Sequence, residues 1–246
     1  MEESVQGLIR AAQSLTRCLT TLRFGDPIPY VYNPLEYAWN AYRSYLKRFA
    51  GIKGKPKRVL LLGMNPGPWG MAQTGVPFGE IGAVRNWMGI EEAIRRPAAE
   101  HPGRPVLGFA TTRSEVSGRR LWGLMQERFG SAEAFFREHF VGNYCPLLFL
   151  DSAGKNVTPD KLRSQHRKAL FLCCDEHLLA TIRILDPEWL IGIGRFTEQR
   201  LRAVSRDSGG RERRVAGILH PSPASPAANK DWAGRTTERL ISLGVW

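Results

Sequence analysis

The sequence predicts an α/β fold: a three-layer arrangement in which a mainly parallel sheet carries helices on both faces, built as one domain over residues 1–246. Three observations point there. Short, largely apolar runs at Val59–Leu62, Pro187–Gly194 and Val215–Leu219 have the look of buried strands. Between them lie longer stretches with helical periodicity, and that alternation marks parallel sheets covered by helices. A length of 246 residues with 43% apolar content suits a single core of this class.

The elements follow in order. Val5, Leu8, Ile9, Ala12, Leu15, Leu19 and Leu22 form one helical stripe, which Gly25-Asp26-Pro27 ends. A second helix, Pro34 to Phe49, sets Tyr37, Ala38, Ala41, Tyr45 and Leu46 on one face; these N-terminal helices, residues 1–50, are expected to pack on the core. A basic link (Lys53, Lys55, Lys57, Arg58) is expected as a solvated linker, ahead of a phosphate-touching reading. The strand Val59–Leu62 then opens into the loop Gly63–Gly79. Its five glycines permit close backbone approach and its three prolines stiffen it. Such a loop at the carboxyl end of a strand is where open α/β sheets bind ligands. Asn65 stands at its start and Phe78 near its end.

Farther on, Ala83–Met88 is expected as a short helix with Trp87 inward, Arg95–Pro105 as a charged connection, and Val106–Ala110 as a short strand. Ser114 stands as a cap for a helix running to about Phe129. The start of that helix, Ser117, Gly118, Arg119 and Arg120, suits a phosphate through its free N–H groups; a plain capped helix explains the same residues. A helix over Ala132–His139 follows. Phe140–Leu150 is a second long apolar run, interrupted by Asn143. A buried amide needs partners, so Asn143 either caps a neighbouring loop or reads a base. After a loop at Asp151–Arg163 come a long helix over Ser164–Leu185, a strand closing in Gly192-Ile193-Gly194, and a helix over Phe196–Val204. The last strand ends in His220-Pro221-Ser222-Pro223-Ala224-Ser225-Pro226, a rigid lead into a final helix near Asn229.

Composition excludes several classes. A formal charge of +12 points to a polyanion, nucleic acid before membrane. No apolar run is long enough for a bilayer, and the acidic Met1-Glu2-Glu3 start is unlike a signal peptide, so an intracellular protein is expected (cytoplasm or nucleoid in a bacterium, nucleus in a eukaryote). Cys18, Cys145, Cys173 and Cys174 lack metal-binding spacing and are expected as reduced, buried thiols. No metal or cofactor is called for. Thr197 stands where a dinucleotide fingerprint needs glycine, and no Gly-Lys-Ser/Thr occurs.

Asn65, Asn143 and His220 all fall at carboxyl ends of predicted strands, which converge on one crevice in this architecture. Two amides, an imidazole and an aromatic, with no carboxylate pair or serine–histidine dyad, argue against phosphoryl and acyl transfer. An amide is a weak base, yet it orients a water toward a centre that becomes electron-poor by itself. Cleavage of an N-glycosidic bond has that character. His220 then suits the departing anion, and Phe78 and Asn143 suit stacking and edge recognition of a base.

The residues Gly63 to Gly79 closely resemble the first motif of the single-strand-selective monofunctional uracil-DNA glycosylases, and His220-Pro221-Ser222-Pro223 through Asn229-Lys230 resembles their second. Ser114–Gly118, Asn143–Leu147, Ser152–Asn156 and Gly192–Arg200 are similar to intervening segments, so the resemblance covers Tyr30 to Trp246. It implies the uracil-glycosylase α/β/α fold, base flipping, and excision of uracil, 5-hydroxymethyluracil and related oxidised pyrimidines from single- and double-stranded DNA. The product would be an unbroken strand with an abasic site, as in base excision repair. By the same resemblance Asn65 positions the water and His220 stabilises charge at O2. Phe78 stacks on the base, Met64 lines the pocket through its backbone, Asn143 reads the pyrimidine edge, and Gly67 leaves room beside C5. Ser117, Gly118, Pro221, Ser222, Pro223, Ala224, Ser225 and Lys230 are the expected DNA contacts, and a monomer is the expected state. Ala224 and Ser225 are small for a wedge, which bears on duplex activity, and Trp69 replaces an expected phenylalanine. Two other readings are a glycosylase for deaminated purines and a non-catalytic single-strand-binding module.

Overall fold

A computed structural model describes residues 2–51, 57–210 and 212–246. Its centre is a parallel four-stranded sheet. Strand β2 (Val59–Gly63), buried along its whole length, pairs with β3 (His139–Asn143) on one side and β6 (Trp189–Ile193) on the other, and β7 (Arg214–Ile218) extends the sheet beyond β6. The strand order β3-β2-β6-β7 brings the carboxyl ends of β2, β3, β6 and β7 to one edge. Helices flank the sheet: α8 (Arg195–Ser205) packs on β6 and β7, α7 (Ser164–Leu185) against α8, and α1 (Glu2–Thr20) along α7. Helix α9 (Pro226–Ser242) packs on β7 and on α5 (Val116–Phe129), which also meets α6 (Ala132–Phe136). The three-layer α/β/α expectation therefore holds.

Several expected elements come out differently, each for a local reason. Pro34–Phe49 is two helices, α2 (Pro34–Tyr37) and α3 (Trp39–Phe49), broken at Ala38. The Ala38 carbonyl presses on Gly75, where a Cβ would sit 2.8 Å away; with φ at +75° this position needs glycine. The run Phe140–Leu150 divides between sheets. After Asn143 the chain crosses over, and β4 (Leu148–Leu150) pairs antiparallel with β1 (Tyr30–Tyr32) and β5 (Asn156–Val157) in a small second sheet that the sequence does not announce. Val106–Ala110 forms a 3₁₀ turn at Gly108–Ala110 rather than a strand. The buried Gln73 of α4 (Met71–Thr74) accepts from the N–H groups of Leu107 and Gly108 at 2.8 and 3.2 Å, so a side chain replaces the ladder.

The basic link serves the fold in its described part; Lys53 and Lys55 lie outside the described residues. Lys57 is buried with its ammonium on the Phe136 carbonyl, and burial pulls its pKa down to about 8. Arg58 donates to the Val245 carbonyl. The cysteine expectation is corrected as well: Cys18 of α1 and Cys173 of α7 form a disulfide, with Cα atoms 6.0 Å apart. The side-by-side packing of two helices 155 residues apart creates that pair, which sequence spacing does not reveal. Cys145 and Cys174 are free and buried. Among the described residues no helix is long and apolar enough to cross a membrane.

Candidate active site

A cavity of about 330 Å³ opens at the carboxyl edge of the sheet. Met64, Asn65, Gly67 and Phe78 of the glycine-rich loop line it, with Asn143 from the end of β3 and His220 just beyond β7. The three polar residues expected to converge do so. A larger open groove, about 620 Å³, lies between the end of α1 and residues 95–99. Its lining mixes apolar residues with Arg23, Arg95, Arg96, Glu36 and a single amide, Asn33, and among the described residues includes no imidazole.

The loop is held by its own hydrogen bonds. Gly63 pairs in register with Asn143 across β2 and β3, and the pairing continues past the strands: Tyr144 N donates to Gly63 O at 2.8 Å and Cys145 N to Met64 O at 2.9 Å. Asn65 donates Nδ2 to the Leu147 carbonyl at 3.2 Å. That bond engages the amide nitrogen of a side chain that lines the cavity, and Oδ1 remains as its acceptor. Gln73 donates to the carbonyls of Pro68 and Pro105 at 2.9 and 3.0 Å, tying the loop to its neighbour. The guanidinium groups of Arg104 and Arg113 stand over the Trp69 ring, 5.6 and 4.8 Å from its centre.

Phe78 adopts φ +52°, a left-handed conformation that costs a non-glycine residue about 1–3 kcal/mol. The surroundings compel it. Its carbonyl accepts from Trp122 Nε1 at 3.0 Å and from Glu80 N at 2.7 Å. Its ring lies over Gly63, where a Cβ would be 2.5 Å from both Phe78 Cε2 and Asn143 Oδ1. Asn143 donates Nδ2 to the Met71 thioether at 3.2 Å, a weak acceptor, while its Oδ1 is buried with no partner. The ring of His220 is tilted against Phe78 with centres 6.3 Å apart. Burial lowers the His220 pKa below the ordinary histidine value, so the imidazole is neutral at pH 7 and offers one N–H donor.

Of the expected DNA contacts, Ser117 and Ser222 line the cavity mouth, and Pro223, Ala224 and Lys230 are exposed on the His220 loop and the first turn of α9. Pro221 is buried. Ser225 caps α9, accepting from Ala228 N at 3.4 Å. Gly118 is buried, and a Cβ there would lie 2.2 Å from the Phe78 carbonyl, so it makes room for the aromatic wall rather than meeting solvent. Ser114 does not cap α5; it donates to Glu80 at 3.0 Å.

Three features escaped the sequence reading. Arg120 donates to the carbonyls of Pro221 and Ser222 at 3.2 and 3.4 Å and to Asn229 Oδ1 at 2.9 Å, clamping the His220 loop from α5. Its guanidinium is spent inside the protein, not held out for phosphate. Asn156 lines the cavity with Nδ2 on the Pro66 carbonyl at 3.2 Å and Oδ1 unpartnered. Glu115, at the N-terminal boundary of α5, turns its carboxyl inward: a Cβ on Gly67 would meet Oε1 at 2.0 Å, and one on Gly70 would meet Oε2 at 1.5 Å. The space beside Gly67 thus holds a carboxyl group. Among the described residues no three His, Cys, Asp or Glu side chains gather as metal ligands.

The site is a cavity with an aromatic wall, an amide held through its nitrogen, a second amide with an unsatisfied oxygen and a neutral imidazole donor. Residues 53–240 match the family model described as "Uracil DNA glycosylase superfamily". The chain is 47% identical over 240 residues to the rat single-strand selective monofunctional uracil-DNA glycosylase, covering 98% of this chain and 85% of the relative. It is equally identical to the bovine protein of that name, covering 98% and 87%. In fold it is similar to wild-type SMUG2 of Pedobacter heparinus, with a TM-score of 0.65, 18% identity and 92% of each chain covered.

Proposed function

Because the chain belongs to the uracil DNA glycosylase superfamily, we propose that it is a monofunctional glycosylase that hydrolyses the bond between uracil and deoxyribose in DNA. The observation that carries this reading is the buried, unpartnered Oδ1 of Asn143 beside Phe78. A buried amide oxygen without a partner is costly, and the N3–H of a flipped uracil stacked on Phe78 satisfies it while Nδ2 donates to O4. Cytosine, with acceptor and donor exchanged, leaves both mispaired.

The chemistry then follows. As the glycosidic bond stretches, positive charge grows on the sugar and negative charge on the base. Neutral His220 donates to O2 and stabilises the departing anion without itself losing a proton. Asn65, its amide pinned by Leu147, accepts from a water and aims its oxygen at C1′. The water's oxygen bonds to C1′ as the C1′–N1 bond breaks, and its proton leaves to solvent or base. Among the described residues no lysine lines the cavity, which is in keeping with an abasic product and an uncut strand. The exposed Pro223–Ala224 turn offers little side chain to fill the gap left by a flipped base, which favours single strands over duplex. The setting is base excision repair inside the cell, wherever its DNA resides.

The test is uracil release from single-stranded and duplex oligonucleotides, with and without alkali. Alkali-dependent cleavage is expected, and Asn65→Ala and His220→Ala should each lose about 10²–10³-fold in rate. Near-normal release by both variants refutes the assignment. Asn143→Asp, which cannot donate to O4, should lose discrimination against cytosine. Binding that persists with no abasic product would establish the non-catalytic alternative.

A further inference from the structure

Among the described residues Glu115 is the one carboxylate that lines the cavity, and the hydrolysis just described does not use it. It stands at the N-terminal boundary of α5, where a short polar side chain would cap the helix, yet it makes no cap. Instead the carboxyl lies across the loop in the space that side chains at positions 67 and 70 would fill. Oε2 is buried without a hydrogen-bond partner. Two glycines that admit a carboxyl, and a carboxyl left unsatisfied at a ligand cavity, together point to a group on the ligand.

We propose that Glu115 determines which 5-substituted uracils are released, by hydrogen-bonding a polar group on C5 and turning away the methyl of thymine. The proposal rests on the base orientation given above, with His220 at O2 and Asn143 at N3 and O4. Going round the ring from O2 through N3 to O4, the next atom is C5. We place it against Gly67, where Glu115 Oε1 fills the space that a side chain would take. A hydroxymethyl group there both donates and accepts, so it pairs with the carboxyl in either protonation state. A formyl oxygen only accepts and needs the protonated acid. A methyl group does neither, and it shuts water away from a buried polar group, the arrangement that discriminates most strongly against an analogue.

The surroundings place the acid at the required balance. Burial and then the nearby Glu80 charge push Glu115 up to about 7. Glu80 is itself held by Ser114 and by Ala83 N, Arg119 reaches Ser114 Oγ at 3.5 Å, and His220 in the same cavity is neutral. Near neutrality the carboxyl is therefore present in both forms.

The experiment compares kcat/KM for 5-formyluracil, 5-hydroxymethyluracil and thymine, each as a ratio to uracil in the same single-stranded sequence, from about pH 6 to about pH 8.5. In the unaltered protein the 5-formyluracil ratio should fall as pH rises above about 7, by up to about tenfold per unit, while the 5-hydroxymethyluracil ratio moves less than about threefold. Glu115→Gln, always a donor, should keep the formyl ratio flat. Glu115→Ala should lower the hydroxymethyl ratio about 10–100-fold and raise the thymine ratio about tenfold or more. If Glu115→Ala does not fold, the pH profile of Glu115→Gln decides alone. The proposal is overturned if Glu115→Gln keeps the unaltered protein's pH dependence, or if Glu115→Ala leaves every ratio unchanged. An unaltered protein that releases no uracil at all would instead overturn the reading of the site beneath it.

Discussion

Replacing Gly63 by alanine should disable the site while sparing most of the fold. The new methyl carbon would lie 2.5 Å from Asn143 Oδ1 and 2.5 Å from Phe78 Cε2, and ordinary contact begins near 3.4 Å. One or both groups must therefore retreat by up to 3.4 − 2.5 = 0.9 Å. Neither has much freedom: Asn143 sits at the end of a central strand, and Phe78 is held in its left-handed conformation by two hydrogen bonds to its carbonyl. A misplacement of about 1 Å at a positioned group costs roughly 10²-fold, so kcat/KM for uracil release should fall by about that factor. The crowding itself should cost about 1–3 kcal/mol, seen as a melting midpoint lowered by roughly 2–12 °C. Gly142→Ala is the matched control, one residue from Asn143, where the added carbon meets only Leu62 Cδ1 at 3.9 Å. Both variants are assayed on a single-stranded uracil oligonucleotide and by thermal melting. A Gly63→Ala protein with kcat/KM within about threefold of the unaltered one would refute the geometry of the base wall.

Two further outcomes are expected. Arg120→Ala removes two hydrogen bonds from the His220 loop and one from Asn229 of α9 and should lower kcat/KM about tenfold or more, with the salt dependence of DNA binding unchanged; a shallower salt slope would mean that Arg120 contacts phosphate after all. Buried His139 accepts from Trp246 Nε1 at 3.2 Å and bonds the Phe135 carbonyl at 3.1 Å, and burial lowers its pKa from 6.5 to about 4. The unfolded chain thus binds a proton that the folded one refuses, so stability is lost as pH falls from about 6.5 to about 4. The loss attributable to this group is about 3 kcal/mol, and His139→Gln should flatten that part of a melting-midpoint profile; an unchanged profile would exclude His139 as its source.

The parallel sheet and the convergence of Asn65, Asn143 and His220 were legible because strand-end position is a property of pattern alone. Apolar runs locate strands, and parallel strands in an α/β sheet send their ends to one edge. Glu115 and Arg120 were not legible because their roles depend on where a helix start lands against a loop far away in sequence. Glu115 looks like an ordinary residue before a helix until two glycines are seen to make room for it. The second sheet was hidden for a related reason. Phe140–Leu150 is one continuous apolar run, and only the hydrogen bonds of Tyr144 and Cys145 to the neighbouring loop show where it leaves the first sheet. The disulfide between Cys18 and Cys173 likewise follows from helix packing that no local pattern encodes.

The stretch from Asn143 to Leu147 joins the two sheets, and it also joins two tasks. In the proposed mechanism its first residue carries the amide that reads the base, and its last supplies the carbonyl that holds Asn65, the residue assigned to the water. Between them, two backbone hydrogen bonds stitch it to Gly63 and Met64. Choice of base and activation of water are therefore mounted on one rigid bracket. A shift of that bracket to suit a differently shaped base would carry the water-holding group out of line by a similar distance. New base preferences in such a protein are thus open to exchange of single side chains around the slot, and closed to gradual drift of its backbone.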